Sequence, residues 1–206
     1  MKRFSTVTAI AIATAALGLS APAAAQDQGL ACIESQYTQE QRDQVAALGA
    51  EMDGGMAFFQ PVIGQLAGAI TPAIGACVQS EGWTQEQTQF ATIAEMGRQG
   101  AAALRAHGTL TADELARFDA ALADPANADV MPAVMRLVGA GMGGSGEPSA
   151  DDGEKLGQFV SNAQLEIGNA GTNTGELSTM LLIFIALQNM GEMQFAAMAA
   201  SAEAAE

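Results

Sequence analysis

Apolar residues recur at helical spacing along most of this chain. Phe90, Ile93, Ala94, Gly97, Ala101 and Leu104 follow the i, i+3, i+4, i+7 rule of a helix with one buried face. Leu156, Phe159, Val160, Ala163 and Ile167 repeat that pattern. β-Branched residues are sparse, and no stretch alternates with the period of two that a strand requires.

Capping chemistry marks where the helices begin. Thr38 with Gln41, Thr84 with Gln87, Thr111 with Glu114, Ser149 with Asp152 and Asn173 with Glu176 have capping-box spacing. In that motif a hydroxyl or amide oxygen accepts a backbone N–H, and the fourth residue bonds back to the cap. The pattern predicts helices over 39–53, 85–106, 112–123, 151–168 and 174–201. Two more are expected: 56–78, kinked or broken at Pro61 and Pro72, and 130–139, with Asp129 as cap and Pro132 in the first turn. The expected fold is all-α, an irregular bundle of about six to seven helices.

An internal repeat organises the first half. Ala31-Cys32-Ile33-Glu34-Ser35-Gln36-Tyr37-Thr38-Gln39-Glu40-Gln41 returns as Ala76-Cys77-Val78-Gln79-Ser80-Glu81-Gly82-Trp83-Thr84-Gln85-Glu86-Gln87, with Gly82 inserted. Each copy carries a cysteine, a polar link, an aromatic residue and a capped helix start. If 39–53 and 56–78 form an antiparallel hairpin across Asp53-Gly54-Gly55, the end of the second lies beside the start of the first. That arrangement brings Cys77 near Cys32, so the hairpin is expected to be closed by a disulfide, with pairing between two chains as the alternative.

The N-terminus reads as an export signal. Met1-Lys2-Arg3 is positive, Val7 to Leu19 is apolar and uncharged, and Ala23-Ala24-Ala25 supplies a signal peptidase site before Gln26. The apolar run falls short of the roughly 20 residues a membrane span needs. The next apolar run, Met180 to Leu187, reads as a buried helix segment. A periplasmic or secreted protein without a transmembrane segment is expected, in a compartment where two cysteines pair by default. The chain then divides into a cleavable signal peptide (1–25), a helical region containing the repeat (26–139), a Gly-rich flexible linker (140–150) and a C-terminal two-helix region (151–206) packing on the first.

Composition and charge narrow the options. Loss of Lys2 and Arg3 moves the net charge from −15 to −17, which excludes nucleic acid and anionic membrane surfaces as partners. Leu, Ile, Val and Phe make up only about a fifth of residues 26–206, close to the limit for a packed core. Ala, the best helix former, and Met, an adaptable core filler, make up the shortfall. A single histidine rules out any site that needs two.

Few residues suggest chemistry. Gly139-Ala140-Gly141-Met142-Gly143-Gly144 matches the dinucleotide fingerprint formally but lacks the preceding strand it needs, so it reads as linker. His107 ends a helix before Gly108, where a cation favours the helix dipole. Met190 and Met193, with Met198 beyond, and Met131 with Met135 can share helix faces, and thioethers suit Cu(I). Asp124, Asn127 and Asp129 lie in a turn-rich loop without calcium-loop spacing. No catalytic residue and no cofactor is nominated.

Tyr37-Thr38-Gln39-Glu40-Gln41, Trp83-Thr84-Gln85-Glu86-Gln87 and Leu110-Thr111-Ala112-Asp113-Glu114 resemble the L-T-x-x-Q repeats of the Spy-like and CpxP-like periplasmic stress chaperones. The match covers about 15 residues, and only Leu110 supplies the leucine. The resemblance implies a small, exported, all-helical, chaperone-like protein. The function expected is a non-enzymatic binding module of the bacterial envelope, taking a protein or apolar partner in an exposed Ala/Met/Phe groove. The alternatives are a structural or oligomeric envelope protein and a methionine-based Cu(I)-binding protein.

Overall fold

The computed structural model describes residues 23–51, 56–141, 148–165 and 174–203. The elements are α1 (Ala23–Gln36), α2 (Gln39–Glu51), α3 (Met56–Glu81), α4 (Gln85–His107), α5 (Ala112–Ala123), a 3-10 turn (Pro125–Asn127), α6 (Val130–Gly141), α7 (Ala150–Asn162) and α8 (Thr174–Glu203). No strand occurs among the described residues, so the chain is all-α as expected. The helix beyond the expected count is α1. Its Ala, Gln and Glu residues are good helix formers, and it runs through the expected cleavage site.

The expected caps are in place at four helices. At α2, α4 and α5 the Thr hydroxyl accepts the N–H of the fourth residue, and that residue's side chain accepts the Thr N–H. At α7 the Ser149 hydroxyl accepts from the Asp151 N–H, and the Asp152 carboxylate accepts the Ser149 N–H. Asn173 lies outside the described residues. Gln41 also donates to the Ala69 carbonyl at 3.1 Å, tying α2 to α3.

Helix ends depart further from expectation. α3 runs unbroken through Pro61 and Pro72, and Thr71 Oγ1 donates to the Ala67 carbonyl at 2.6 Å beside the second proline. α7 stops at Asn162, well short of 168. There Leu165 N–H reaches the Val160 carbonyl and Gln164 N–H the Ser161 carbonyl, with Gln164 left-handed at φ 53°. That is a Schellman ending on a residue that does not announce it, and Ile167 lies outside the described residues. Gly108, which follows His107 at the end of α4, is extended with φ −68°. Gly82 does take the left-handed conformation, at φ 70°, between α3 and Trp83.

The disulfide joins Cys32 to Cys77, with Cα atoms 5.9 Å apart. It links α1 to α3, so Cys32 lies in a helix of its own ahead of the α2–α3 hairpin. The two cysteines hold equivalent positions in the repeat, and Ser35 and Ser80 each donate to the cysteine carbonyl of their own copy.

α8 is the core of the bundle. Met180, Leu181, Leu182 and Phe184 are fully buried, and α8 packs chiefly along α4. The two helices approach closely because glycine faces them. A Cβ on Gly97 would meet the α8 backbone at Gln188 and the Phe184 carbonyl, and one on Gly191 would meet the α4 backbone at Ala94 and the Phe90 carbonyl. Two stretches, Pro61–Glu81 and Thr174–Ser201, are long and apolar enough to cross a membrane by length and composition alone. About two fifths of the apolar window in each is buried within the bundle.

α6 and α7 flank the stretch expected to be a linker. α6 extends through Gly141 and α7 begins at Ala150, so helix covers both ends of it; residues 142–147 lie outside the described residues. Arg136 on α6 makes two hydrogen bonds to the buried Asp152 on α7. Those bonds, and next the Ser149 N–H, hold the Asp152 carboxyl below the usual carboxylate range. At α5, the Thr111 N–H and then its hydroxyl do the same for Glu114.

A group with a depressed folded pKa adds stability above its unfolded value, near 4, and that stability is lost as pH falls through the folded value. The caps of α5 and α7 therefore weaken in acid, whereas the glutamine caps of α2 and α4 do not titrate. Amide exchange in α5 should accelerate on going from pH 6 to pH 3 more than in α4, after correction for intrinsic exchange. Glu114→Gln should remove the difference at α5; its persistence would contradict this origin.

Candidate functional site

An apolar pocket of about 390 Å³ is lined by residues of five helices. α8 supplies Thr179, Ile183 and Leu187, spaced by single turns along one face. α6 supplies Val134, Leu137, Val138 and Gly141, again at helical spacing. α3, α4 and α7 add Ile63, Met96 and Leu156. The volume falls within the range of small-molecule sites. Among the described lining residues the one polar side chain, Thr179, donates its hydroxyl to the Gly175 carbonyl at 2.8 Å. None of those residues is titratable, and Met96 supplies their one thioether.

Among the described residues the lining is aliphatic, with Met96 as its one methionine. Met193 is the one large apolar side chain that is well exposed among the described residues. Met190, Met131 and Met135 pack against the core instead, and Met198 is half-buried. The Cu(I) candidates Met190, Met193 and Met198 thus differ in their surroundings.

A more polar cleft of about 340 Å³ lies between the end of α1, α2 and α4, lined in part by Glu34, Arg42, Arg98 and His107. Its base is a buried network that sequence reasoning missed. Tyr37 donates its hydroxyl to Glu95 at 2.6 Å, and Arg98 and Gln99 donate to the same carboxylate at 2.8–2.9 Å. Arg98 also reaches Glu34 at 2.9 Å. Burial, and next the bond to Glu95, pushes the Tyr37 phenol well above its ordinary value. It stays a proton donor, and the network acts as a strut joining the first repeat to α4. The visible signal was a carboxylate on the apolar face of α4, one turn before an arginine. His107 is exposed at the last turn of α4.

The remaining candidates have structural partners. Asp124 caps the 3-10 turn through the Ala126 N–H, and Asn127 bonds the Ala121 carbonyl while accepting from Asn162. Asp129 lies 3.9 Å from Lys155. No group of three or more His, Cys, Asp or Glu side chains able to hold a metal ion occurs among the described residues. Gly139 and Gly141 are helical, in α6, and Gly143 and Gly144 lie outside the described residues.

No protein-family model matches this chain, and no curated protein or solved structure matches it at a significant level. The Thr-x-x-Gln and Thr-x-x-Glu motifs behind the chaperone resemblance act here as helix caps.

Proposed function

We propose that the protein is a non-enzymatic binding protein whose site is the five-helix apolar pocket. The observation that carries this reading is the lining: among the described residues it is aliphatic and presents no titratable group. Burial of apolar surface is then the source of affinity. We further propose that the chain is exported to the periplasm or beyond by cleavage after Ala25. The Cys32–Cys77 disulfide supports an oxidising compartment. That cut leaves α1 from Gln26 onward, including Gly29 against Phe195 of α8 and the fully buried Ile33.

The test uses apolar molecules of different shape: octanol, naphthalene and a short aliphatic peptide. At least one should raise the unfolding temperature. At a hundredfold excess over its Kd the gain is about 2.7 kcal/mol. Ile183→Lys, a change at a half-buried lining position, should abolish the shift while the unliganded protein still melts cooperatively. Equal stabilisation of wild type and folded Ile183→Lys would place binding elsewhere.

A further inference from the structure

The two sulfurs of the disulfide meet different surroundings. Cys77 is fully buried in α3, with Ala73 and Ile74 buried one turn before it. Cys32 is half-buried, and small residues at the surface flank it. Ala31 and Ser35 are exposed beside it in α1. Ser80, exposed near the end of α3, holds its hydroxyl 3.7 Å from the Cys32 Sγ. Neither cysteine lines the apolar pocket.

We propose that Cys32 is a thiol-exchange site: a small external thiolate opens the bond at its sulfur, and Cys77 is the internal thiol that closes it again. In this chemistry the thiolate approaches along the S–S axis, bonds to one sulfur and expels the other. The buried Cys77 sulfur offers no approach from solvent, so attack falls on Cys32 Sγ. A bond forms between the incoming sulfur and Cys32, and the Cys32–Cys77 bond breaks. Its electron pair leaves with Cys77 Sγ, which then takes up a proton.

The fold keeps Cys77 beside the mixed disulfide. After losing that proton, the Cys77 thiolate attacks Cys32 Sγ, expels the external thiol and restores the original bond. No net oxidation or reduction accompanies this cycle. A dithiol takes a different course: its second sulfur attacks the first, closes a cyclic disulfide and leaves both cysteines reduced. The dithiol is then the two-electron reductant. Burial disfavours the charged thiolate departing from Cys77, so exchange is slower than at a fully exposed disulfide. A half-buried sulfur in the seam between two helices also favours small thiols over those carried on a protein surface.

The experiment treats the folded, disulfide-bonded protein with 2-mercaptoethanol, quenches with acid at intervals and maps the adduct by mass spectrometry. The adduct should lie on Cys32 about tenfold or more over Cys77, following exposure. In urea below the unfolding transition, the exchange rate should stay within about twofold of its value in water, as for a site reached without global unfolding. Equal labelling of the two cysteines overturns the assignment. A rate that rises in parallel with the unfolding equilibrium also overturns it, because the bond would then open only in the unfolded chain. Cys77→Ala removes the closing thiol, so Cys32 should take up one mercaptoethanol from its disulfide, 2-hydroxyethyl disulfide, and keep it. Cys32→Ala should leave Cys77 about tenfold or more slower toward the same reagent. Absence of an adduct from both the wild type and folded Cys77→Ala contradicts the proposal. Should either variant not fold, the wild-type map and its urea dependence decide.

Discussion

Gly97→Ala is expected to destabilise the protein by about 2 kcal/mol or more, although alanine is the better helix former. Intrinsic propensity alone favours the change by up to about 1 kcal/mol. The new methyl would meet the Phe184 carbonyl oxygen at 2.5 Å and the Gln188 Cα at 2.7 Å. These are backbone atoms of a core helix and cannot move aside by changing rotamer. Relief requires α4 and α8 to separate, which opens the contact that organises the core. Gly191→Ala should act in the same way from the other helix, because its methyl would meet the Phe90 carbonyl at 2.6 Å. Gly75→Ala supplies the contrast. Nothing lies within 4 Å of that position in α3, so the propensity gain should appear as stabilisation of about 0.5–1 kcal/mol. Urea denaturation of the three variants measures this. Equal signs at Gly97 and Gly75 would contradict the close approach.

Removing the disulfide is expected to cost more. In the chain-entropy model, closing a loop across a separation of 45 residues is worth about 4 kcal/mol. Cys32→Ala with Cys77→Ala is the suitable pair, because Cys77 is fully buried and a serine hydroxyl there would need a partner. The expected result is a fall in the urea midpoint matched by reduction of the wild-type bond. Ion pairs from α1 offer little compensation, since the Arg98–Glu34 bridge is largely exposed and such bridges are weak. An unchanged midpoint would show that α1 is held by packing through Ile33 and by Gly29 on Phe195.

Helix starts were legible in the sequence because their signal is local. Thr38 and Gln41 sit three residues apart, and capping needs nothing from the rest of the chain. Helix ends were less legible. α7 stops where Gln164 turns left-handed, a conformation that glycine would have advertised. α1 was missed because Ala23–Ala25 also suits a peptidase site and its apolar residues form no clear stripe. The pairing of Cys32 with Cys77 followed from the count of two cysteines and the expected hairpin, although the helix carrying Cys32 did not.

The site was hidden for a different reason. Its lining comes from five helices, and Ile63 and Leu187 are brought together only by the packing of α3 and α8. The same holds for Gly97 and Gly191. In sequence each is a propensity penalty, and only the facing helix turns it into a requirement. Glu95 stands on the apolar face of α4 in the sequence, but only the fold places Tyr37 against it.

Methyl-resolved NMR during an octanol titration tests the pocket most directly. The account predicts saturable shifts at the methyl groups of Ile63, Met96, Val138, Ile183 and Leu187. The methyls of Ile33 and Ile74, in the buried core of α1 and α3, should stay fixed. Shifts spread evenly over both sets, or confined to Met193 on the surface, would contradict it.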